Sequence, residues 1–231
     1  QLPRAVVVIS AHWLTQRCVV GSAQRPATIH DFSGFPAALS EFKYDCQGAP
    51  ALAEQIIKQL GDAGIDCVGD SDYGLDHGAW AVLCQLFPAA QIPVLQIALD
   101  MTQPMQWHYQ LARQLKHWRD DNILFVASGN IVHNIAKWQR GDSDMSAEYR
   151  LDDLVLSELQ ARSVNRDDSR LVDYQQLGEW VLEPIPYPDH YLPFLYSLGL
   201  SDFDEEIAHS IDFQCSQHEE PSRFMRSVKF G

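Results

Sequence analysis

Three histidines stand where an α/β chain would gather its chemistry, and a fourth lies far downstream. His12 closes an apolar run, in Ile9-Ser10-Ala11-His12-Trp13. His77 sits in Leu75-Asp76-His77-Gly78-Ala79-Trp80, just ahead of a helical pattern. His133 follows another apolar run, in Ala127-Ser128-Gly129-Asn130-Ile131-Val132-His133-Asn134, and His190 lies downstream in Pro188-Asp189-His190-Tyr191-Leu192-Pro193. A neutral imidazole ligates a divalent metal, and the same ring moves a proton near neutral pH, so a histidine cluster supports either role. No compact HExxH-type motif is present, so spacing alone defines no metal site. His108 and His117 fall in an amphipathic helix and read as solvated or packing residues; His209 and His218 fall in an acidic terminal region and read the same way. His30, in Thr28-Ile29-His30-Asp31-Phe32, either lines a pocket or is tied down by its neighbour Asp31.

The elements that must position these side chains follow from hydrophobic pattern. Residues 5–11, AVVVISA, are uncharged and rich in β-branched residues, as a strand buried on both faces requires. Residues 18–22 form a second strand candidate, and a loop rich in Gly, Pro and Asp covers 25–48. Pro50 opens a helix with Leu52, Ile56, Ile57 and Leu60 at helical spacing and Gly64 as its stop. A strand near 66–68, a helix over 79–87 and a strand over 93–99 come next. The helix predicted over 104–119 carries Trp107, Leu111, Leu115 and Trp118 on one face, and a strand over 123–127 runs into Ser128-Gly129-Asn130. A helix over 146–162, a Pro-rich stretch over 183–193 and two terminal strands, 206–214 and 223–230, complete the chain. The terminal pair is expected at the sheet's edge. Alternating strand and helix predicts an α/β fold with a mostly parallel central sheet flanked by helices. With no repeat and no low-complexity linker, residues 1–231 read as one domain. In open sheets of this class, ligands bind beyond the carboxyl ends of the strands, where His12 and His133 are placed.

Composition removes several function classes. The net charge of −14 argues against binding nucleic acid, which needs Lys and Arg against phosphate, and against docking on anionic membranes. No apolar run approaches the roughly 20 residues of a membrane-spanning helix, and no secretory signal is visible at the N-terminus. The five cysteines, Cys18, Cys46, Cys67, Cys84 and Cys215, are widely spaced without a CxxC pair. That pattern suits reduced thiols in a cytoplasm, and it leaves His and carboxylate as the expected metal donors.

Read together, Ser10-Ala11-His12-Trp13, Thr28-Ile29-His30-Asp31-Phe32-Ser33-Gly34-Phe35-Pro36, Asp76-His77-Gly78-Ala79-Trp80, the Ala127–Asn134 phrase and His190-Tyr191-Leu192-Pro193 form an ordered series. It resembles the 4,5-DOPA extradiol dioxygenases of the class III extradiol group, over about residues 4–200. The resemblance implies an enzyme that opens the ring of a catechol, DOPA-like, with O2. It implies His12 and His190 as metal ligands, His133 as acid/base, and His77 as a second proton donor or substrate contact. The metal implied is Fe2+, with Zn2+ possible in the same site. His30, Trp13, Trp80 and Phe35 are candidates for the wall around an aromatic ring, the tryptophans and Phe35 being equally readable as core. The family begins with a strand ending in Gly-His-Gly-Ser-Pro, whose His is another ligand. This chain opens at Gln1-Leu2-Pro3-Arg4 without that strand, and the segment is expected upstream in the natural protein. The competing readings are a zinc hydrolase using the same histidines and a non-catalytic binding protein on the same scaffold.

Overall fold

The computed structural model describes residues 2–34, 36–212 and 226–231. The readings of Phe35, Cys215 and His218 lie outside these. The chain divides into two compact units, Gln1–Pro104 with Gln114–Ser128, and Met105–Arg113 with Gly129–Gly231.

The first unit holds strands β1 (Ala5–Thr15), β2 (Cys18–Gly21), β3 (Cys67–Asp70), β4 (Val94–Asp100) and β5 (Ile123–Ser128), with helices α1 (Ala37–Glu41), α2 (Pro50–Asp62) and α3 (His77–Leu86). The five strands form one sheet in the order β3-β2-β4-β1-β5. β1 is flanked on both sides by parallel partners, in register from Val6↔Val94 to Ile9↔Ile97 and from Ala5↔Ile123 to Ser10↔Ser128. This explains its unbroken apolar run: Val6, Val7, Val8 and Ile9 are all fully buried, since both faces of a central strand are covered. Val6, Val8 and Val94 pack with Ala79, Trp80 and Leu83 of α3 and with Tyr44. Each such aliphatic side chain removed from water stabilises the fold by roughly 1.5–3 kcal/mol.

Three of the four ladders are parallel. The exception is β2 against β4, which pair antiparallel at Val20↔Ile97, so β3 and β2 run opposite to the other three strands. Cys18 and Cys67 face each other in the β2–β3 register with their sulfurs 2.8 Å apart, and both are free thiols. The hydrogen bond to Cys67, and then burial, push the Cys18 thiol up, which keeps it protonated and unreactive.

The second unit contains most of α4 (Met105–Leu115), followed by α5 (Ile135–Gln139), α6 (Ser146–Asn165), α7 (Ser169–Val172) and α8 (Leu192–Leu200). It also holds the hairpin strands β6 (Ile207–Asp212) and β7 (Arg226–Phe230). Arg162 of α6, 1% exposed, donates twice to the buried Asp168 carboxylate (2.8 and 3.0 Å) and to the carbonyl of Leu198.

The structure corrects the sequence reading in several places. The terminal strands pair with each other in a separate two-stranded sheet, not on the edge of the main one. The helix expected over 104–119 ends at Leu115 and tightens into a 3-10 turn, Lys116–Arg119, a common way to satisfy the last carbonyls of a helix. Of the two readings of His108, solvated or packing, the second holds: it is fully buried, its Nδ1 3.1 Å from the Tyr196 hydroxyl. No helix among the described residues is long and apolar enough to cross a membrane.

Candidate functional site

β1 does not stop where its parallel pairing stops. Its partnership with β5 ends at Ser10, and its register with β4 shifts between Ile9 and Leu14, so His12 occupies an irregular stretch within the strand, past the regular ladder. The local geometry is set by Ser10, which is fully buried. Its hydroxyl donates to Asp76 Oδ1 at 2.6 Å and accepts the backbone N–H of His12 at 3.3 Å. Asp76 is also the N-cap of α3, accepting from the Ala79 N–H at 3.1 Å, the usual answer to the unpaired donors at a helix start. One buried carboxylate thus ties the strand carrying His12 to the helix that begins with His77.

The two imidazoles meet, with ring centroids 3.9 Å apart. Asp31 joins them. Its Oδ1 accepts the His77 backbone N–H at 3.0 Å, and its Oδ2 lies 2.9 Å from His77 Nδ1 and 3.7 Å from His12 Nδ1. Burial opposes ionisation of Asp31, but the hydrogen bonds from the His77 backbone and ring outweigh it and hold the carboxyl below its ordinary range. Donor atoms of His12, Asp31 and His77 all lie within 4.8 Å of one another. Two imidazole nitrogens and a carboxylate oxygen form a donor set that suits iron or zinc and involves no thiolate.

Gly78 shows how tightly this corner is built. A Cβ there would lie 2.4 Å from Ser10 Oγ, 3.0 Å from His12 Cδ2 and 3.1 Å from Asp76 Oδ1. Gly78→Ala is therefore expected to destabilise the protein by about 1–3 kcal/mol, as overpacking does, and to displace the His12 ring. Urea denaturation together with metal content measures both effects; unchanged stability and full metal loading would show that the corner yields.

In the second unit His133 and His190 stack, with centroids 3.5 Å apart and planes within 5°. Their backbones are pinned together: Asn130 N–H donates to the His190 carbonyl at 2.9 Å, and His133 N–H to the Pro184 carbonyl at 2.9 Å. Gly129 permits the approach, because a Cβ there would sit 2.4 Å from the His190 carbonyl oxygen. Asp189 repeats the carboxylate–imidazole pairing, with Oδ2 3.3 Å from His190 Nδ1 and Oδ1 accepting the His190 N–H at 2.9 Å. Here too burial works against ionisation, and the hydrogen bonds and charge of His190 prevail, so Asp189 sits below the usual carboxylate range.

The remaining candidates fare differently. His30 is half-buried, and its Nε2 lies 2.9 Å from the Phe42 carbonyl; it is tied down, though by Phe42 and not by Asp31. Trp13 and Trp80, read as pocket wall, are both 4% exposed. Trp13 stacks on Tyr73 at 4.2 Å, and Trp80 commits its indole N–H to the Ile29 carbonyl at 2.9 Å. Both pack with the buried core, one of the two readings they allow. Phe32 is the aromatic ring that the sequence reading passed over. It is half-buried and lies edge-on to His77 at 5.6 Å and 5.9 Å from Trp80. Asp31 joins the site although nothing in its own sequence context, beside His30, marks it as a site residue.

Comparison with known proteins adds an independent line. Residues 1–179 match the family described as the catalytic LigB subunit of aromatic ring-opening dioxygenase. A 4,5-DOPA dioxygenase extradiol of Escherichia coli (strain K12) is 39% identical over 208 residues, covering 89% of this chain and 75% of that protein. A second protein of that name, from Beta vulgaris, is 32% identical over 209 residues, covering 85% and 73%. The crystal structure of an uncharacterized protein from Escherichia coli K12 superposes with a TM-score of 0.78 at 33% identity, covering all of this chain and 87% of its own. On these matches the chain belongs to the LigB family of aromatic ring-opening dioxygenases and is an extradiol enzyme of that family.

Proposed function

We propose that residues 1–231 act as one catalytic domain that opens the ring of a catechol, DOPA-like in substituent, with O2. The observation that carries this reading is the meeting of His12, His77 and Asp31 past the regular ladder of a central strand, in a chain of this family. His12 and His190 are the metal-ligating residues, and the donor chemistry around His12 fits ferrous iron, with zinc able to occupy the same ligands. When bound, the cation supplies Lewis acidity and, as iron, the redox chemistry that O2 requires.

The chain's own residues supply proton handling and shape. His133 takes a proton from a catechol hydroxyl, a task for which imidazole is the side chain suited near neutral pH. His77 is the second proton donor or hydroxyl contact. His30 and Phe32 form the aromatic side of the substrate site, and Trp80 backs Phe32 from the core. The substrate is a small molecule, and a cytoplasmic setting accords with the reduced thiols.

The test is O2 uptake with a panel of catechols by protein reconstituted anaerobically with ferrous iron. Uptake coupled to a ring-opened, semialdehyde-type product is expected; none with any catechol would sink the reading. Alanine at His12 or at His190 is expected to abolish stoichiometric metal binding, as read by elemental analysis after dialysis. Full retention in either variant would remove that residue from the ligand set.

A further inference from the structure

We infer that Cys18 and Cys67 are a modification site: a thiol pair that a peroxide closes into an intrachain disulfide, locking β2 to the edge strand β3 until a small thiol reopens it. The inference lies outside the ring-opening chemistry and does not depend on it.

Strand register brings the two sulfurs together. β2 and β3 run parallel, Cys18 opens one and Cys67 the other, and the two residues are partners in a ladder that continues to Gly21↔Asp70. Partners in neighbouring strands have Cα atoms about 4.8 Å apart, inside the ~4.4–6.8 Å that a disulfide spans, so the backbone need not move to join them. Their sulfurs already lie 2.8 Å apart, the Cys18 thiol donating to Cys67, with no room for a third atom between them. Both thiols are free. A single buried cysteine usually serves only as a small apolar side chain. Two set sulfur to sulfur across a ladder are a dithiol.

Position along the strands makes the pair reachable. β3 is an edge of the sheet, and each cysteine is the first residue of its strand. The residues just before them, Arg17 and Asp66, form an exposed ion pair at 3.3 Å. Cys67 is the more exposed of the two, 8% against 3%, so an oxidant as small as hydrogen peroxide meets its sulfur first. Cys18, held protonated, is inert toward solutes by itself. Its part comes second. The Cys67 sulfur takes one oxygen of the peroxide, the O–O bond breaks, and a water leaves a sulfenic acid behind. The Cys18 sulfur then bonds to Cys67, and its proton departs with the sulfenic hydroxyl as a second water. Two thiols and one peroxide thus give one disulfide and two waters; each sulfur loses one electron and the peroxide gains two. Contact between the sulfurs makes the second step intramolecular, ahead of further oxidation to a sulfinic acid.

The bond would join positions 49 residues apart. On its other side β2 meets β4 through one antiparallel bridge, Val20↔Ile97, so a covalent tie to β3 fixes a strand with few ladder bonds elsewhere. Closing a loop of that length also restricts the unfolded chain, which raises the stability of the oxidised fold.

The experiment is peptide mapping by mass spectrometry on the full chain, loaded with zinc so that the peroxide meets no redox metal. After a few equivalents of hydrogen peroxide, remaining thiols are alkylated in denaturant and the protein is digested without reductant. A linked Cys18–Cys67 peptide is expected, lighter by two hydrogens than its separate halves and released by dithiothreitol. The midpoint of thermal unfolding is expected to rise by about 5–15 °C on oxidation and to return on reduction. Cys18→Ser and Cys67→Ser are each expected to lose both the linked peptide and the rise. Recovery of the two cysteines alkylated, separately converted to sulfinic acids, or paired with Cys46, Cys84 or Cys215 would overturn the inference. A linked peptide with an unchanged midpoint would keep the modification site and overturn the lock. Neither readout involves ring opening, so a protein inactive on every catechol tests the pair equally well.

Discussion

His133→Ala is expected to lower catechol ring opening by about 10²–10⁴-fold, the span over which positioned proton transfer contributes, while bound metal stays stoichiometric. The separation of the two effects follows from how the residue is held. The main chain at position 133 is fixed by its own N–H, which donates to the Pro184 carbonyl and does not depend on the side chain. His190 is held from elsewhere, through Asn130 to its carbonyl and through Asp189 to its N–H and ring. Removing the His133 ring therefore takes away a stacking partner at 3.5 Å without releasing the backbone of its neighbour. O2 uptake under saturating catechol, paired with elemental analysis of the same sample, measures both quantities. A rate within a few-fold of wild type would strip His133 of its acid/base role, and loss of metal alongside activity would make it a ligand.

Much of this arrangement is legible in the sequence, for reasons that also mark where legibility ends. A central strand buried on both faces must read as an unbroken apolar run, and AVVVISA does. Pro50 announces the start of α2, and apolar pattern places α2 and α3 within two residues of their observed bounds. Strand direction leaves no such trace, because a β-strand pattern reads alike in either sense. The reversal between β2 and β4 rests on a single bridge, Val20↔Ile97, that no local window contains. The same holds for side chains whose role is decided by a distant partner. Asp31 reads as a loop acid until His77 arrives from 46 residues away, and His108 reads as solvated or packing until Tyr196, 88 residues away, decides for packing. Trp13 and Trp80 sit inside site-like phrases, yet burial against Tyr73 and a hydrogen bond to Ile29 put them in the core.

Lys137 shows the same limit with the largest expected effect on stability. On its own it is an ordinary lysine of a short helix; in the fold its side chain is 1% exposed, 2.9–3.0 Å from the two oxygens of the fully buried Glu148 and 2.6 Å from Glu183. Burial opposes its charge, but the hydrogen bonds it donates to Glu183 and Glu148 prevail and raise the lysine above its ordinary range. Lys137→Met is expected to cost about 3–5 kcal/mol, because it strands the Glu148 carboxylate in the interior. Lys137→Met with Glu148→Leu is expected to recover most of that, since removing both charges removes the desolvation penalty along with the attraction. Urea denaturation of the three proteins checks this; a single variant as stable as the wild type would mean that Glu148 finds water. The sign of the pH dependence follows from the raised lysine: its contribution is fully present below the unfolded lysine pKa and fades only as pH climbs through the higher folded value, so the difference between wild type and Lys137→Met should persist across neutral pH and shrink in strong alkali. Activity should fall too, below the unfolding transition. Glu183 also receives the Asn134 side chain on its carbonyl at 2.6 Å, and the next residue, Pro184, receives the His133 N–H. Freeing Glu183 from its lysine therefore loosens the segment against which His133 is set, so a variant still fully folded at low temperature should open catechols more slowly with its metal in place.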